Sequence, residues 1–514
     1  MNEIQIDMFE VQLGAALLLQ FGLDGDTISV LADAGVKASK YPPEHVHSKL
    51  SKVLKKNDRI DLIIGTHYDE DHLDGLVPII RDESIEIGEA WMPPVVNDAL
   101  AVAFDRPVAA SDLLAHQFAT EQGGAVLAHY LAAKRADIEA LGLVEAALQG
   151  RRPDDDRGFK VEPRTASDDP HNIDFFREQL GAADDDGDID HGCDMEIEPN
   201  PLVTKLVDEV TQSIDTYWFP EFETFDALKS RAARQAGEVP ALAATQARSI
   251  AHLRKSTAKK AINAKALHDV AVALHARKIP IRTEIIEDGV PHRYRWSARS
   301  QRFVLGPRNA TGLCFDLLGP SRSLVKKHRD KLPVVETAKI AMAFRGELQG
   351  ISPSNQLSYI GCFRHKGQSI LVSGDAGCVD FKLDRDNYYP QLLAAMSPLH
   401  VVQVAHHAGN NAHFYRVLAA AGFPEQTEPS LLLLSHKTRD PKRPSPAFRE
   451  FLLTSLREGD DIKLLFTSEP RGDRVRDFRQ AIHPQVGASG TVGDIQLVYD
   501  GRDWQVIAHA ISMP

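Results

Sequence analysis

Between His67 and Asp74 the chain sets two histidines and four acids in eight consecutive residues, inside Gly65-Thr66-His67-Tyr68-Asp69-Glu70-Asp71-His72-Leu73-Asp74-Gly75. Carboxylates crowded this closely repel, and without a counter-charge some of them turn neutral. A bound divalent cation removes that conflict. Imidazole and carboxylate donors together suit zinc, and equally manganese or iron. The chemistry such a centre performs is hydrolysis by a metal-bound hydroxide. One ion brings the pKa of its water to about 7, and two ions clamp the attacking and leaving oxygens of a phosphodiester. The plainer alternative is a solvated acidic loop that happens to contain histidines.

A metal centre needs elements that aim these donors. The cluster follows Arg59–Ile64, a short, mostly apolar run of the kind that forms a buried strand. Three further runs end the same way. One closes on Asp33-Ala34-Gly35, a second on Ser373-Gly374-Asp375-Ala376-Gly377, and a third on Ala405-His406-His407-Ala408-Gly409. Four strands that each terminate in acid or histidine predict one site at a sheet edge, with glycines letting the turns approach it. Asp33 then either orients a histidine or is a polar turn residue. Asp74 either supports a metal ligand in the same way or, as the favoured reading, is a helix N-cap. Since successive strand residues face opposite sides, one member of the His406–His407 pair points at the ions, and the first is favoured.

The ordered set resembles the metallo-β-lactamase superfamily, whose hallmark is His-x-His-x-Asp-His after a strand. Here the pattern is His67-x-Asp69-x-Asp71-His72, a variant similar to the hydrolase domain of ComEC-type competence proteins. Asn355-Gln356-Leu357-Ser358, Gly374-Asp375-Ala376, His406-His407-Ala408-Gly409 and the pair Gly493-Asp494-Ile495-Gln496-Leu497 and Asp500-Gly501-Arg502-Asp503-Trp504 extend the likeness over 1–95 and 280–514. The resemblance implies an α/β fold, a four-layer αββα sandwich. It implies that His67 and Asp69 hold one ion and Asp71 with His72 the other. Asp375 bridges them, His406 or His407 completes the second site, and Asp71 is the catalytic carboxylate. The implied cofactor is Zn2+ or Mn2+, as one or two ions. The chain departs from the family in Gln12-Leu13-Gly14-Ala15, where the family has Gln-Gly-Asp-Ala, and in Arg443-Pro444, where it has His-Pro. No middle histidine ligand stands between His72 and Asp375, because His365 reads as part of a hairpin turn.

At 514 residues the chain exceeds one ordinary domain. Hydrophobic content of 43% and charged content of 25% are those of a soluble globular protein. A net charge of −13 argues against a generic nucleic-acid coat, though not against a nuclease with a local basic track. Cys193, Cys314, Cys362 and Cys378 lack metal-finger spacing and suit reduced thiols. No signal peptide and no membrane span are expected, which points to the cytoplasm.

Residues 1–95 and 279–514 therefore read as two parts of the hydrolase fold, separated by a helical insertion over 96–278. Within the insertion, 126–148 and 202–214 have helical periodicity. The acidic run 184–190 mimics a calcium loop poorly, with Ala182 and Cys193 at positions that need acids. The stretch 229–278 carries eleven basic residues (Lys229, Arg231, Arg234, Arg248, Arg254, Lys255, Lys259, Lys260, Lys265, Arg277, Lys278) against Glu238 and Asp269. It is either a solvated helix face or a track for DNA or RNA phosphates. Three functions follow as expectations: a phosphodiesterase or nuclease, favoured by the ComEC-like variant and the basic stretch; a small ester, lactone or thioester hydrolase; and a partner-activated subunit whose insertion binds another protein.

Overall fold

Alternation in the first strand decides which way one sheet faces. Ile4, Ile6 and Met8 of β1 (Ile4–Met8) enter the main core. Gln5 and Asp7 take the other face, where Asp7 accepts from Gln5 at 2.8 Å and from Gln496 at 2.6 Å. β2 (Ala16–Leu23) and β3 (Asp26–Ala34) repeat the pattern with Leu17, Leu19 and Phe21, then Ile28, Val30 and Ala32. Pairing is antiparallel from β1 to β3, then parallel through β4 (Arg59–Ile64), β5 (Glu86–Trp91) and β6 (Ile281–Arg282). The C-terminal hairpin, β16 (Ile495–Tyr499) and β17 (Trp504–Ala508), extends the sheet beyond β1, giving eight strands.

The computed structural model describes residues 3–35, 41–54, 59–94, 121–150, 173–180, 236–237, 240–329, 353–384, 387–424, 430–455, 462–468, 486–489 and 494–508. The expected helix at 202–214, the acidic run 184–190, Cys193, Gly493 and the basic residues Lys229, Arg231 and Arg234 lie outside them. Among the described residues, Cys314, Cys362 and Cys378 are buried free thiols.

A second sheet has nine strands. β7 (His292–Ser297), β8 (Arg302–Leu305), β9 (Cys314–Gly319), β10 (Ile360–His365) and β11 (Gln368–Val372) pair antiparallel, in the spatial order β8-β7-β9-β10-β11. β12 (Val401–Gln403), β13 (Ser430–Leu434), β14 (Ile462–Phe466) and β15 (Val486–Ser489) then add in parallel. β13, with the sequence Ser-Leu-Leu-Leu-Leu, is buried throughout, as a central parallel strand should be. The two sheets share one core. Phe21 stacks on Phe363 at 5.7 Å between ring centroids, and Trp91 meets Tyr294 at 4.8 Å. Helix Glu44–Val53 buries Val46 and Leu50, and helix Leu76–Arg81 buries Leu76, Ile79 and Ile80. The latter is capped at Gly75, one residue later than Asp74.

Each sheet thus has a parallel half. β3 and β4 run parallel to each other in one, and β11 and β12 in the other, and Asp33, His67, Asp375 and His407 stand at or just beyond their carboxyl ends. Among the described residues, all seventeen strands belong to one compact unit, formed by Met1–Leu127, Asn263–Leu332 and Ile351–Pro514. A second unit comprises Ala128–Ile262 with Pro333–Gly350. Its described part consists of helical segments, with Ile138, Leu141, Val144, Ile250 and Ile262 buried. There Arg254 pairs with Glu145 at 3.0 Å, and Arg254, Lys255, Lys259 and Lys260 are half-buried. Among the described residues no helix is long and apolar enough to cross a membrane.

Phe363 is fully buried between Phe315, 4.5 Å away, and Phe21. Phe363→Ala removes a ring that both sheets pack on. The expected cost is about 3–5 kcal/mol, read as a fall in the urea midpoint with an unchanged slope.

Candidate metal centre

The loop after β4 is held in place before any ligand is considered. Thr66 donates to Asp33 twice, from its backbone N–H at 2.7 Å and its hydroxyl at 2.6 Å. Gly374 has φ +49°, and a Cβ there would lie 2.3 Å from Thr66 Oγ1. The position needs glycine for both conformation and space. On the other side of the loop a Cβ on Gly35 would fall 1.9 Å from the Asp71 carbonyl carbon and 2.1 Å from the His72 nitrogen. The backbone of Asp71 and His72 therefore packs directly against the end of β3.

His67 stands just beyond β4, and His72 lies on the single helical turn Glu70–Leu73. Both are fully buried, with ring centroids 3.8 Å apart. His72 Nδ1 meets Asp33 Oδ2 at 2.8 Å, which leaves Nε2 facing inward. Asp33 therefore orients a histidine, the first of the two roles weighed for it. Asp375 sits among the rings: its Oδ1 is 3.4 Å from His72 Nε2 and 3.7 Å from His407 Nε2, and its Oδ2 is 3.8 Å from His67 Nε2. His67 Nε2, His72 Nε2, His407 Nε2 and Asp375 Oδ1 are all buried without a hydrogen-bond partner. Four orphaned polar atoms converging in one place are costly unless a further group satisfies them.

Among the described residues, two sets of three donors are close enough to share an ion. They are His67, His72 and Asp375, and Asp71, His72 and His407, each with its ligand atoms within 4.8 Å of one another. Imidazole Nε2 and carboxylate oxygen are the donors zinc and manganese take, and an outer carboxylate on His72 is the usual support for such a ligand. The residues fit the ion. Electrostatics agree with this. Burial, then the neighbouring His72, lowers the His67 pKa, and burial lowers His407 to about 4, so both rings are neutral. Burial also opposes charge on His72, but Asp375 and Asp33 outweigh it and raise its pKa well above the usual value. For Asp375 burial is again the largest influence and is overcome, chiefly by His72, which holds the carboxyl well below its usual range. A cation in this pocket would take the place of the His72 proton.

Of the residues expected as ligands, the structure brings together His67, Asp71, His72, Asp375 and His407. Asp69 and His406 are not grouped with them. Asp69 Oδ1 accepts from Asn263 at 2.7 Å and Ser354 at 2.8 Å instead. Of the two histidines, the donor groups among the described residues take in His407 rather than the favoured His406, whose Nδ1 is also buried without a hydrogen-bond partner. The reason is that β12 ends at Gln403, and His406, His407 and Ala408 follow in left-handed conformation with φ of 51°, 53° and 57°. Strand alternation no longer applies there. His365 lies away from the cluster, with Nε2 2.9 Å from the Gly22 carbonyl. Arg443 is buried with Nη1 3.4 Å from Asp440.

Several supporting residues escaped the sequence reading. The Gln403 side chain accepts from the Ser373 N–H at 3.1 Å, ahead of Asp375. Ser445 donates to the carbonyls of Ala408 and Gly409, each at 2.8 Å, bracing the His407 turn. Asn411 bonds the Ala376 carbonyl at 2.8 Å. His436, after β13, is a strand-end histidine with the right sequence signal and no place in either donor set; its Nε2 faces the Arg443 carbonyl at 3.4 Å. No protein-family model matches the chain, and no curated protein matches it.

His407→Ala removes a donor, and the purified variant should lose metal content by elemental analysis, whereas His406→Ala should retain it. Equal loss in both would refute the grouping. Asp33→Asn keeps the shape but weakens the partner of His72 Nδ1. Zinc affinity in a competitive chelator titration should fall about 10–100-fold.

Proposed function

We propose that the chain is a metal-dependent hydrolase of the metallo-β-lactamase superfamily that cleaves phosphodiesters, with Zn2+ or Mn2+ as its cofactor. The observation that carries this reading is the set of inward-facing, unpartnered imidazole and carboxylate atoms on His67, His72, His407 and Asp375. Two mixed sheets sharing one core agree with the four-layer αββα sandwich that the sequence resemblance implies. On the same resemblance, the residues from 96 to 278 form the helical insertion.

When bound, the ion supplies an activated water and polarises the phosphoryl oxygen. The chain's own residues do the rest. Asp33 keeps the proton of His72 on Nδ1, so that Nε2 has its lone pair for the site. Burial keeps His67 and His407 neutral and equally available. Asp375 provides a carboxylate central to three rings. Asp71 differs from all of these in being only half-buried. Being less enclosed, its carboxylate is the one that could orient water and accept its proton. The dry surroundings strengthen each of these interactions.

DNA or RNA is the natural form of the substrate that the ComEC-like variant favours. The half-buried setting of Arg254, Lys255, Lys259 and Lys260, and the Arg254–Glu145 pair, do not add to that preference. Metal-loaded protein should hydrolyse a chromogenic phosphodiester and polynucleotide, and leave a lactone or thioester intact. Asp71→Ala combined with His72→Ala should strip the metal and lower turnover by at least about 100-fold without unfolding the protein. Turnover of the lactone alone would replace the phosphodiesterase reading with a small-ester hydrolase. Metal binding without turnover of any substrate would favour a partner-activated subunit.

A further inference from the structure

The Asn263 side chain is a two-ended clamp on the metal loop. Its Nδ2 donates to Asp69 Oδ1 at 2.7 Å, and its Oδ1 accepts the backbone N–H of Glu70 at 2.9 Å. Ser354 Oγ donates to the same Asp69 oxygen at 2.8 Å. Asn263 and Asp69 are both buried, at 6% and 2% exposure. The amide thus grips two consecutive residues inside the six-residue stretch from His67 to His72, which carries three of the cluster's donors. Asn263 lies on helix Pro240–Ala276, far from the loop in sequence but in the same compact unit.

The match is chemical. A carboxylate followed by a backbone N–H calls for one donor and one acceptor side by side, and a primary amide provides both. The loop needs this help. The turn Glu70–Leu73 is four residues long, and a lone helical turn does not hold itself together. Donors for an ion must be placed to within about 0.5 Å, which demands support from outside the ligand set.

We propose that Asn263 is a positioning residue of the metal centre, and that Asp69 is its hydrogen-bond partner rather than a ligand. Asp69 then stands in the pattern where a ligand is expected, yet anchors the loop while His67, Asp71 and His72 meet the ion. The inference rests on the metal-centre reading above.

Cobalt(II) tests it, because its visible absorption reports ligand number and geometry independently of turnover. Four full-length proteins are compared with wild type: Asn263→Asp, Asp69→Asn, the two changes combined, and Asp71→Ala. Asn263→Asp keeps the acceptor for Glu70 but sets a carboxylate against Asp69. Its Co2+ affinity should fall about 10–100-fold with a changed spectrum. Asp69→Asn retains the oxygen that accepts from Asn263 and Ser354, and should keep most of its affinity. In the combined variant donor and acceptor exchange ends, so affinity and spectrum should return toward wild type. Asp71→Ala should lose binding.

If Asp69→Asn loses Co2+ as fully as Asp71→Ala does, and the combined variant fails to recover, Asp69 is a ligand and the inference is overturned. A wild-type spectrum and affinity in Asn263→Asp, with only a lowered melting temperature, overturns it too, since that is the mark of a purely structural contact. Should Asn263→Asp fail to fold, the Asp69→Asn and combined variants decide between the same outcomes. A wild-type chain that binds no Co2+ overturns the metal-centre reading itself, and this inference with it.

Discussion

One buried carboxylate holds the site in register. Asp33, at the end of β3, is completely enclosed and accepts three hydrogen bonds, two from Thr66 and one from His72. Burying a charged group costs several kcal/mol unless its lone pairs are met, so each donor is under strong constraint to stay. Through Thr66 that constraint fixes where the chain leaves β4. Through His72 it fixes which ring nitrogen faces inward. The position of His67 follows, because it is the next residue after Thr66.

The second sheet answers with the opposite arrangement. Asp375 arrives on a turn whose glycine lies against Thr66, and so the two sheets meet at their strand ends as well as in their shared core. His72 ends up between two acids, Asp33 on one side and Asp375 on the other. Negative charge on both flanks of a buried imidazole is an environment that selects for a positive occupant. A proton serves on His72 alone. A divalent ion would serve His67, His407 and Asp71 at the same time, in keeping with the proposed metal site.

What could be read from the residues, and what could not, divides along lines of locality. β4, β8 and the ends of β3 and β11 were legible because each is an apolar run stopped by an acid or a small residue. The convergence of His67, Asp71, His72 and Asp375 followed from those ends. The orientation of the His406–His407 pair was not legible, since nothing local announces three successive left-handed residues without glycine. Asp69 had the spacing of a ligand and found amide and hydroxyl donors instead. Asn263 carries no signal of its own: a single amide in a long alanine-rich helix gains meaning only when folding brings the loop to it. His436 is the opposite case, with the right signal at a strand end and no place in either donor set among the described residues.

The left-handed run around His407 also has an energetic cost. For residues with a Cβ this conformation costs roughly 1–2 kcal/mol each, and His406, His407 and Ala408 adopt it in succession. His407 cannot become glycine without giving up its imidazole. Ala408 could, and would sit more comfortably there, yet the chain has alanine. A glycine would also loosen the turn, giving the adjoining imidazole a cone of directions instead of one. The methyl group at 408 therefore acts like a pre-tensioned spring seat: the loop gives up ease of folding in return for stiffness, and the bonds from Ser445 to the carbonyls of Ala408 and Gly409 are what keep that tension from discharging.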